Sequence, residues 1–212
     1  VPRLTRDGKV RRTQEERSAE TRTRLLDATV DCLIDLGYAD TTTTVIAERA
    51  GVSRGAQLHH FPTKAELVAA AVEHLTRRIG EDLHHEAAKL PADGDRVSAA
   101  VDLLWSRFST PLFPAFLELL VAARTDAELR KHLKAVEERL AHSMQRQVEE
   151  VFGPASSKTP GHALAIDLTL NLMYGMALQR VLASPDARQL KRRELAMVSA
   201  WKDVVTRVLE NV

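Results

Sequence analysis

Between Ser53 and Lys64 the sequence SRGAQLHHFPTK gathers side chains suited to reading a nucleic-acid duplex. Arg54 can reach a guanine edge or a phosphate, and Gln57 can pair with adenine. Gly55 and Ala56 leave room for close approach to a groove wall. Arg54, Ala56, Gln57 and His59 are therefore candidates for base or groove contact. Thr43, Thr44, Ser53, His60 and Lys64 are candidates for phosphate anchoring. Lys64 suits an anion further because a helix N-terminus there would also offer backbone N–H groups.

Other chemistry finds less support. The eight histidines include the neighbours His59-His60 and His84-His85, and sequence neighbours on a helix point in different directions. Neither pair has the i, i+4 spacing that sets two metal ligands on one face. No serine sits in a strand-to-helix elbow, and no glycine-rich loop could cradle a phosphate. Cys32 is the only cysteine, so no intrachain disulfide can form. Its place in the stripe Leu25, Leu26, Thr29, Cys32, Leu33, Leu36 marks it as a small core residue. No metal, no cofactor and no enzymatic activity are expected.

The elements that must position the polar cluster are helical. Thr44 can cap a helix to about Ala50, with Val45, Ile46 and Ala50 on one face. Gly51 ends it, because only glycine enters the left-handed conformation without a Cβ penalty. Val52 would fill the angle, and Ser53 caps a second helix that stops near His60, since Phe61 precedes Pro62. Helices this short are marginal alone and persist only when packed on a scaffold. Thr13 with Glu16 has capping-box spacing for a preceding helix to Gly37, and Thr63 with Glu66 for a following one to about Lys89. Further helices are expected over 95–108, 114–123, 126–152 (with Thr125 and Glu128 as a capping box), 160–183, and from the break at Ser184-Pro185-Asp186 to about 210.

In order along the chain come Arg22-Thr23-Arg24-Leu25-Leu26-Asp27-Ala28 and Gly37-Tyr38, then Ile46-Ala47-Glu48-Arg49-Ala50-Gly51-Val52-Ser53-Arg54-Gly55, and last His60-Phe61-Pro62-Thr63-Lys64. On these residues, from about Thr21 to Leu75, the chain resembles the TetR-type family of bacterial transcriptional regulators. It departs at Leu58, where the family usually carries a tyrosine whose hydroxyl commonly meets a phosphate. The resemblance implies an all-α fold. A basic arm would occupy residues 1–15, a three-helix helix-turn-helix DNA-binding domain 16–75, and a larger helical ligand-binding and dimerisation domain 76–212.

Residues of the larger part fit that organisation. Leu164, Leu168, Leu172, Met176, Leu178 and Val181 spread apolar surface around much of one helix, and Leu195, Val198, Trp201, Val205 and Val208 stripe the last. A helix apolar on more than one face must be buried on more than one side, either within a monomer or against a second copy; a reading head that works in pairs, and the resemblance, favour a homodimer through the final two helices. Aromatic residues are only 4% of the chain, yet Trp105, Phe108, Phe113 and Phe116 crowd one stretch broken by Pro111 and Pro114. With Met144, Gln147, Met173 and Tyr174 they are candidates to line an apolar chamber. Such residues at helical spacing are more often ordinary core. The resemblance favours the chamber, because the family's C-terminal domains commonly bind an inducing small molecule.

The net charge of +1 conceals an uneven distribution. Before Leu25 stand Arg3, Arg6, Lys9, Arg11, Arg12, Arg17, Arg22 and Arg24 against Asp7, Glu15, Glu16 and Glu20, a basic excess beside the helical pair. No stretch is long and apolar enough to span a bilayer, and no apolar signal core follows the basic start, so a cytoplasmic protein is expected. The expected partners are a double-stranded DNA operator, a second copy of the chain and a small-molecule effector, with no membrane. The resemblance implies a repressor released by its effector. The alternative is a helical carrier or enzyme without DNA binding.

Overall fold

The computed structural model describes residues 13–91, 96–152, 160–181 and 188–210, with backbone alone at 139–149, 160, 162, 209 and 210. Among the described residues there are nine helices and no strand: α1 Gln14–Asp40, α2 Thr43–Ala50, α3 Arg54–His60, α4 Lys64–Ala87, α5 Arg96–Phe108, α6 Leu112–Ala122, α7 Ala127–Phe152, α8 Pro160–Gln179 and α9 Arg188–Glu210. The basic arm before Thr13, the break at 182–187, and the side chains of Met144 and Gln147 lie outside the described residues.

Local hydrogen bonding explains the boundaries. Thr13 and Glu16 form the full capping box: the Thr13 N–H donates to Glu16 Oε2 at 2.7 Å and the Glu16 N–H to Thr13 Oγ1 at 3.1 Å. Thr63 caps α4 by accepting from the Glu66 N–H at 3.1 Å. Three helix starts differ from the sequence expectation, and α8 ends at Gln179 short of the expected 183. Thr42, rather than Thr44, caps α2, accepting from the Val45 N–H at 3.2 Å. Asp126, rather than Thr125, caps α7 through the Leu129 N–H at 2.9 Å, while the Thr125 hydroxyl turns back to Ala122 O. α6 starts at Leu112 instead of Pro114, because Pro111 already has helical dihedrals and Pro114 falls in the first turn. Gly37, with φ 74°, interrupts α1 near its end.

Apolar burial is organised as three groups, and α4 contributes to each. Leu67 and Ala71 join Leu25, Leu26, Ala28, Cys32, Ile46, Ala50 and Phe61 in the core beneath the short helices. Ala65 and Val68 join Leu33 with Ala115, Leu119, Ala123 and Leu129 at the joint with α6 and α7. Leu83 and Ala87 reach the core of the larger part, among Val101, Leu104, Val151, Phe152, Ile166, Met173, Met176, Val198 and Val205. A helix of 24 residues is about 36 Å long, and along that length α4 reaches all three groups. The division expected at Leu75 falls inside α4.

α8 resolves its two apolar faces. Ala165, Ile166, Thr169, Met173, Met176 and Ala177 are buried, while Leu164, Leu168 and Leu178 stand out at 59%, 48% and 56% exposure. On α9, Val198 and Val205 face inward and Leu195 and Val204 outward. No helix among the described residues is long and apolar enough to cross a membrane.

Candidate nucleic-acid interface

The turn between α2 and α3 is fixed by backbone geometry and by one long-range clamp. Gly51 is left-handed at φ 63°, ψ 40°. The Gly51 N–H donates to Glu48 O and the Val52 N–H to Ala47 O, both at 3.0 Å. From α1, the Arg24 guanidinium donates to Ala50 O and, at 3.0 Å, to Gly51 O. Arg24 therefore holds the turn. Ser53 caps α3 through the Ala56 N–H at 3.2 Å, and the Phe61 ring is buried in the core beneath it.

On α3 itself, Arg54, Gly55, Leu58 and His59 are exposed, Ala56 and His60 half-buried, and Gln57 buried. Gly55 has no internal reason to lack a side chain. Its φ is not positive, and a Cβ built there would meet nothing nearer than Ser53 Oγ at 4.0 Å. Glycine in a helix is less stable than alanine by about 0.5–1 kcal/mol. A bare position with free space on an outward face makes sense when something outside the chain approaches closely.

Gln57 corrects an expectation. It is 0% exposed, its Nε2 donates to Phe61 O at 2.7 Å, and its Oε1 is buried without a partner among the described residues. The side chain fastens the end of α3 and does not face a base. Lys64 is a second correction. Its ammonium donates to Tyr38 O and lies 4.0 Å from the centroid of the Tyr38 ring. Burial holds its pKa below the ordinary lysine value, partly offset by Asp126, Asp40 and Glu118. In this conformation Lys64 ties α4 to the end of α1.

The remaining candidates stay near the outward surface. Thr44 and Ser53 are exposed and Thr43 half-buried. His60 has a pKa lowered by burial, then by His59 and Arg22. The exposed Arg22, whose guanidinium carbon is 4.5 Å from the Phe61 ring centroid, escaped sequence reasoning as a positioned cation. The signals for it were the basic excess before Leu25 and its place at the start of the first run that carries the resemblance.

In the larger part, the structure brings together three of the expected lining residues. The rings of Phe108, Phe113 and Tyr174 lie 5.0–5.2 Å apart in every pairing. Burial raises the Tyr174 pKa, so its hydroxyl stays protonated and can donate. Trp105 lies under Arg180, 5.3 Å from ring centroid to guanidinium carbon. Met173 is buried in the core and Phe116 half-buried. Sequence reasoning missed a charged neighbour: Arg180 grips buried Glu194 through two bonds of 2.7 and 2.9 Å and donates to Ser109 O at 2.9 Å. Arg180 and Glu194 stand 14 residues apart, across the break between α8 and α9, so no spacing within one helix marks them.

Known proteins resemble this chain in sequence and in fold. The family described as bacterial regulatory proteins, tetR family, matches residues 25–71, which include α2 and α3 with the flanking parts of α1 and α4. An uncharacterised helix-turn-helix-type transcriptional regulator of Mycobacterium tuberculosis is 33% identical over 190 residues, covering 89% of this chain and 96% of its own. The helix-turn-helix-type transcriptional regulator CymR of Pseudomonas putida is 40% identical over 129 residues, 61% of this chain and 64% of its own. Among solved structures, the multidrug binding protein EbrR complexed with ethidium matches with a TM-score of 0.55 and 19% identity, over 89% of this chain and 98% of that one.

Proposed function

This chain belongs to the tetR family of bacterial regulatory proteins, and from that premise we propose that it is a homodimeric repressor released from a palindromic operator by a small apolar or aromatic effector. It acts in the cytoplasm, without catalysis. The observation that carries the operator contact is the outward face of α3, where Arg54, Gly55 and His59 are exposed and Gly55 is bare without internal cause. Arg54, Ala56 and His59 are assigned to the groove with Gly55 as the point of closest approach. Ser53, Thr43, Thr44, His60 and Arg22 are assigned to phosphates. Gln57 and Lys64 leave the DNA-facing group, because each is held by a partner within the fold.

The dimer is assigned to α8 and α9. Leu164, Leu168 and Leu178 recur at helical spacing on the outer face of α8, with Leu195 outward on α9. Exposed Gly175 lies between them on the same stripe, and a Cβ there would meet nothing within 4 Å. Two such helices from each copy would form a four-helix contact. Two heads so joined would read half-sites one helical turn apart, or a multiple of it. The effector is assigned to the Phe108, Phe113 and Tyr174 group, a choice supported by the ethidium bound to EbrR.

Selection of binding sites from random duplex DNA tests this function. A recovered palindrome whose affinity falls steeply with salt is the expected result. No enrichment at low or moderate salt would sink the regulator and favour a helical carrier or enzyme. Release by an effector further requires tighter effector binding to the free dimer than to the operator complex, by a few kcal/mol for a decisive switch. Equal affinities for the two forms would refute that part.

A further inference from the structure

The geometry points to Leu58 as a specificity-determining residue that selects a thymine in each operator half-site through apolar contact with its C5-methyl group. The inference rests on the operator-reading role of α3 just proposed. Leu58 is 45% exposed on a seven-residue helix whose inward face is closed by Gln57 and by the buried Phe61. Its outward neighbours at helical spacing are Arg54 and Gly55, and Gly55 contributes no side chain. Leu58 therefore projects as the foremost apolar group of the surface that enters the groove. Gln57, the one amide on the helix, is turned away and fastened to Phe61 O, so it does not compete for the adjoining base edge.

In the major groove every base edge is polar except at one kind of position. Guanine shows two acceptors, cytosine a donor, adenine an acceptor and a donor, whereas thymine adds a methyl group to its acceptor. A leucine pressed against guanine, adenine or cytosine displaces water from polar atoms and returns no hydrogen bond. Against thymine it covers a methyl group and is itself covered. Leu58 is thus a discriminating residue, although it has no group able to reach a phosphate. Ala56, half-buried on the same helix, is the competing apolar candidate, and the test separates the two.

The test uses the intact protein and the operator recovered by site selection. Each thymine is replaced in turn by deoxyuridine, which removes only the C5-methyl group and leaves the base pair intact. Binding of wild type and Leu58→Ala is then measured on every probe. Removing one buried methyl group predicts about a fourfold weaker affinity per half-site at one symmetry-related thymine pair. Both half-sites together predict about fifteenfold. Leu58→Ala is expected to show no penalty at that pair, and its exposed position keeps the fold intact. A uracil penalty that survives in Leu58→Ala assigns the methyl to Ala56 and overturns the inference. An operator with no uracil-sensitive position overturns it too, while leaving operator recognition standing. If no operator is recovered, the regulator role and this inference fall together.

Discussion

Gly55→Ala should raise the stability of this protein and lower its affinity for its operator. The position is helical without positive φ, and an added Cβ would sit 4.0 Å from Ser53 Oγ, an ordinary contact. Nothing in the fold has to move. The substitution therefore acts by restricting the unfolded chain, which stabilises by about 0.4–1 kcal/mol where the native dihedrals suit alanine. For a chain of this size that corresponds to a rise in Tm of about 1–4 °C. On the operator the same methyl group intrudes between α3 and the groove wall. Forcing an extra carbon into a close-packed contact costs about 1–3 kcal/mol, or roughly 5- to 150-fold in affinity for each half-site. Chemical denaturation and fluorescence anisotropy on the selected operator read the two effects separately. Higher stability with unchanged affinity would refute the close approach of Gly55 to the groove. Lower stability would refute the claim that the space around it is free.

Gln57→Leu should keep both the stability, within about 1 kcal/mol, and the selected operator, because it removes an unpaired buried oxygen together with one hydrogen bond; a changed base preference in site selection would return Gln57 to the groove. Lys64→Met should leave the slope of log affinity against log salt unchanged, whereas a lysine that neutralised a phosphate in each protomer would, on removal, make it shallower by nearly one unit apiece. Tyr38→Phe removes the 2.7 Å bond from Tyr38 Oη to Asp126 and should lower stability by about 1 kcal/mol near neutral pH. The Leu129 N–H, then Tyr38, hold the Asp126 pKa below its ordinary value, so this contribution is present above the usual aspartate range and disappears as pH falls through the folded value; urea titrations at neutral and acid pH that give the same difference would contradict it. His60, its pKa lowered by burial, is largely neutral near pH 7 in the free protein, so a phosphate beside it would draw in a proton. Operator affinity should then rise as pH falls from neutral toward the lowered pKa of the free protein, and His60→Gln should flatten that profile; an identical profile in the variant rules the interaction out.

The helix-turn-helix punctuation was legible because local backbone chemistry dictates it. Gly51 must be left-handed, Ser53 and Thr63 supply caps, and Pro62 follows the end of α3. The cap of α2 was displaced within the run Thr41 to Thr44, whose four hydroxyls are chemically equivalent until packing chooses Thr42. Which way each side chain of the candidate site faces depends on helix phase against the core, which residue type alone does not give. Gln57 is polar but stands four residues before Phe61, on the face that turns inward, and its amide finds the Phe61 carbonyl there. Leu58 is apolar but stands on the outward face. Lys64 and Arg24 were legible as cations and not as fasteners, because Tyr38 O and the Ala50 and Gly51 carbonyls lie 26 or 27 residues away. Contacts at that separation follow from the packing of α1 against the short helices and against the start of α4, which no local pattern contains.

The same long-range contacts decide how the larger part can act on the reading helix. α4 is one connection, but the joint has a second through α6. The Tyr38 N–H donates to Glu118 Oε1 at 2.6 Å, and Leu119 is buried against residues that include Leu33 and Val68. Five residues before Glu118 on the same helix, about 7.5 Å along its axis, Phe113 packs against Phe108 and Tyr174. A molecule that displaced the Phe113 ring would therefore push on a three-turn helix whose other half is fastened to the base of the head. Backbone hydrogen bonds make so short a helix stiff, so the displacement passes to Tyr38 and Leu33 unless the joint gives way first. The joint combines the Glu118 and Asp126 hydrogen bonds to Tyr38, Lys64 on Tyr38 O, and a buried apolar group. Weakening it at Tyr38 should therefore uncouple the effector from the operator more than it weakens the binding of either.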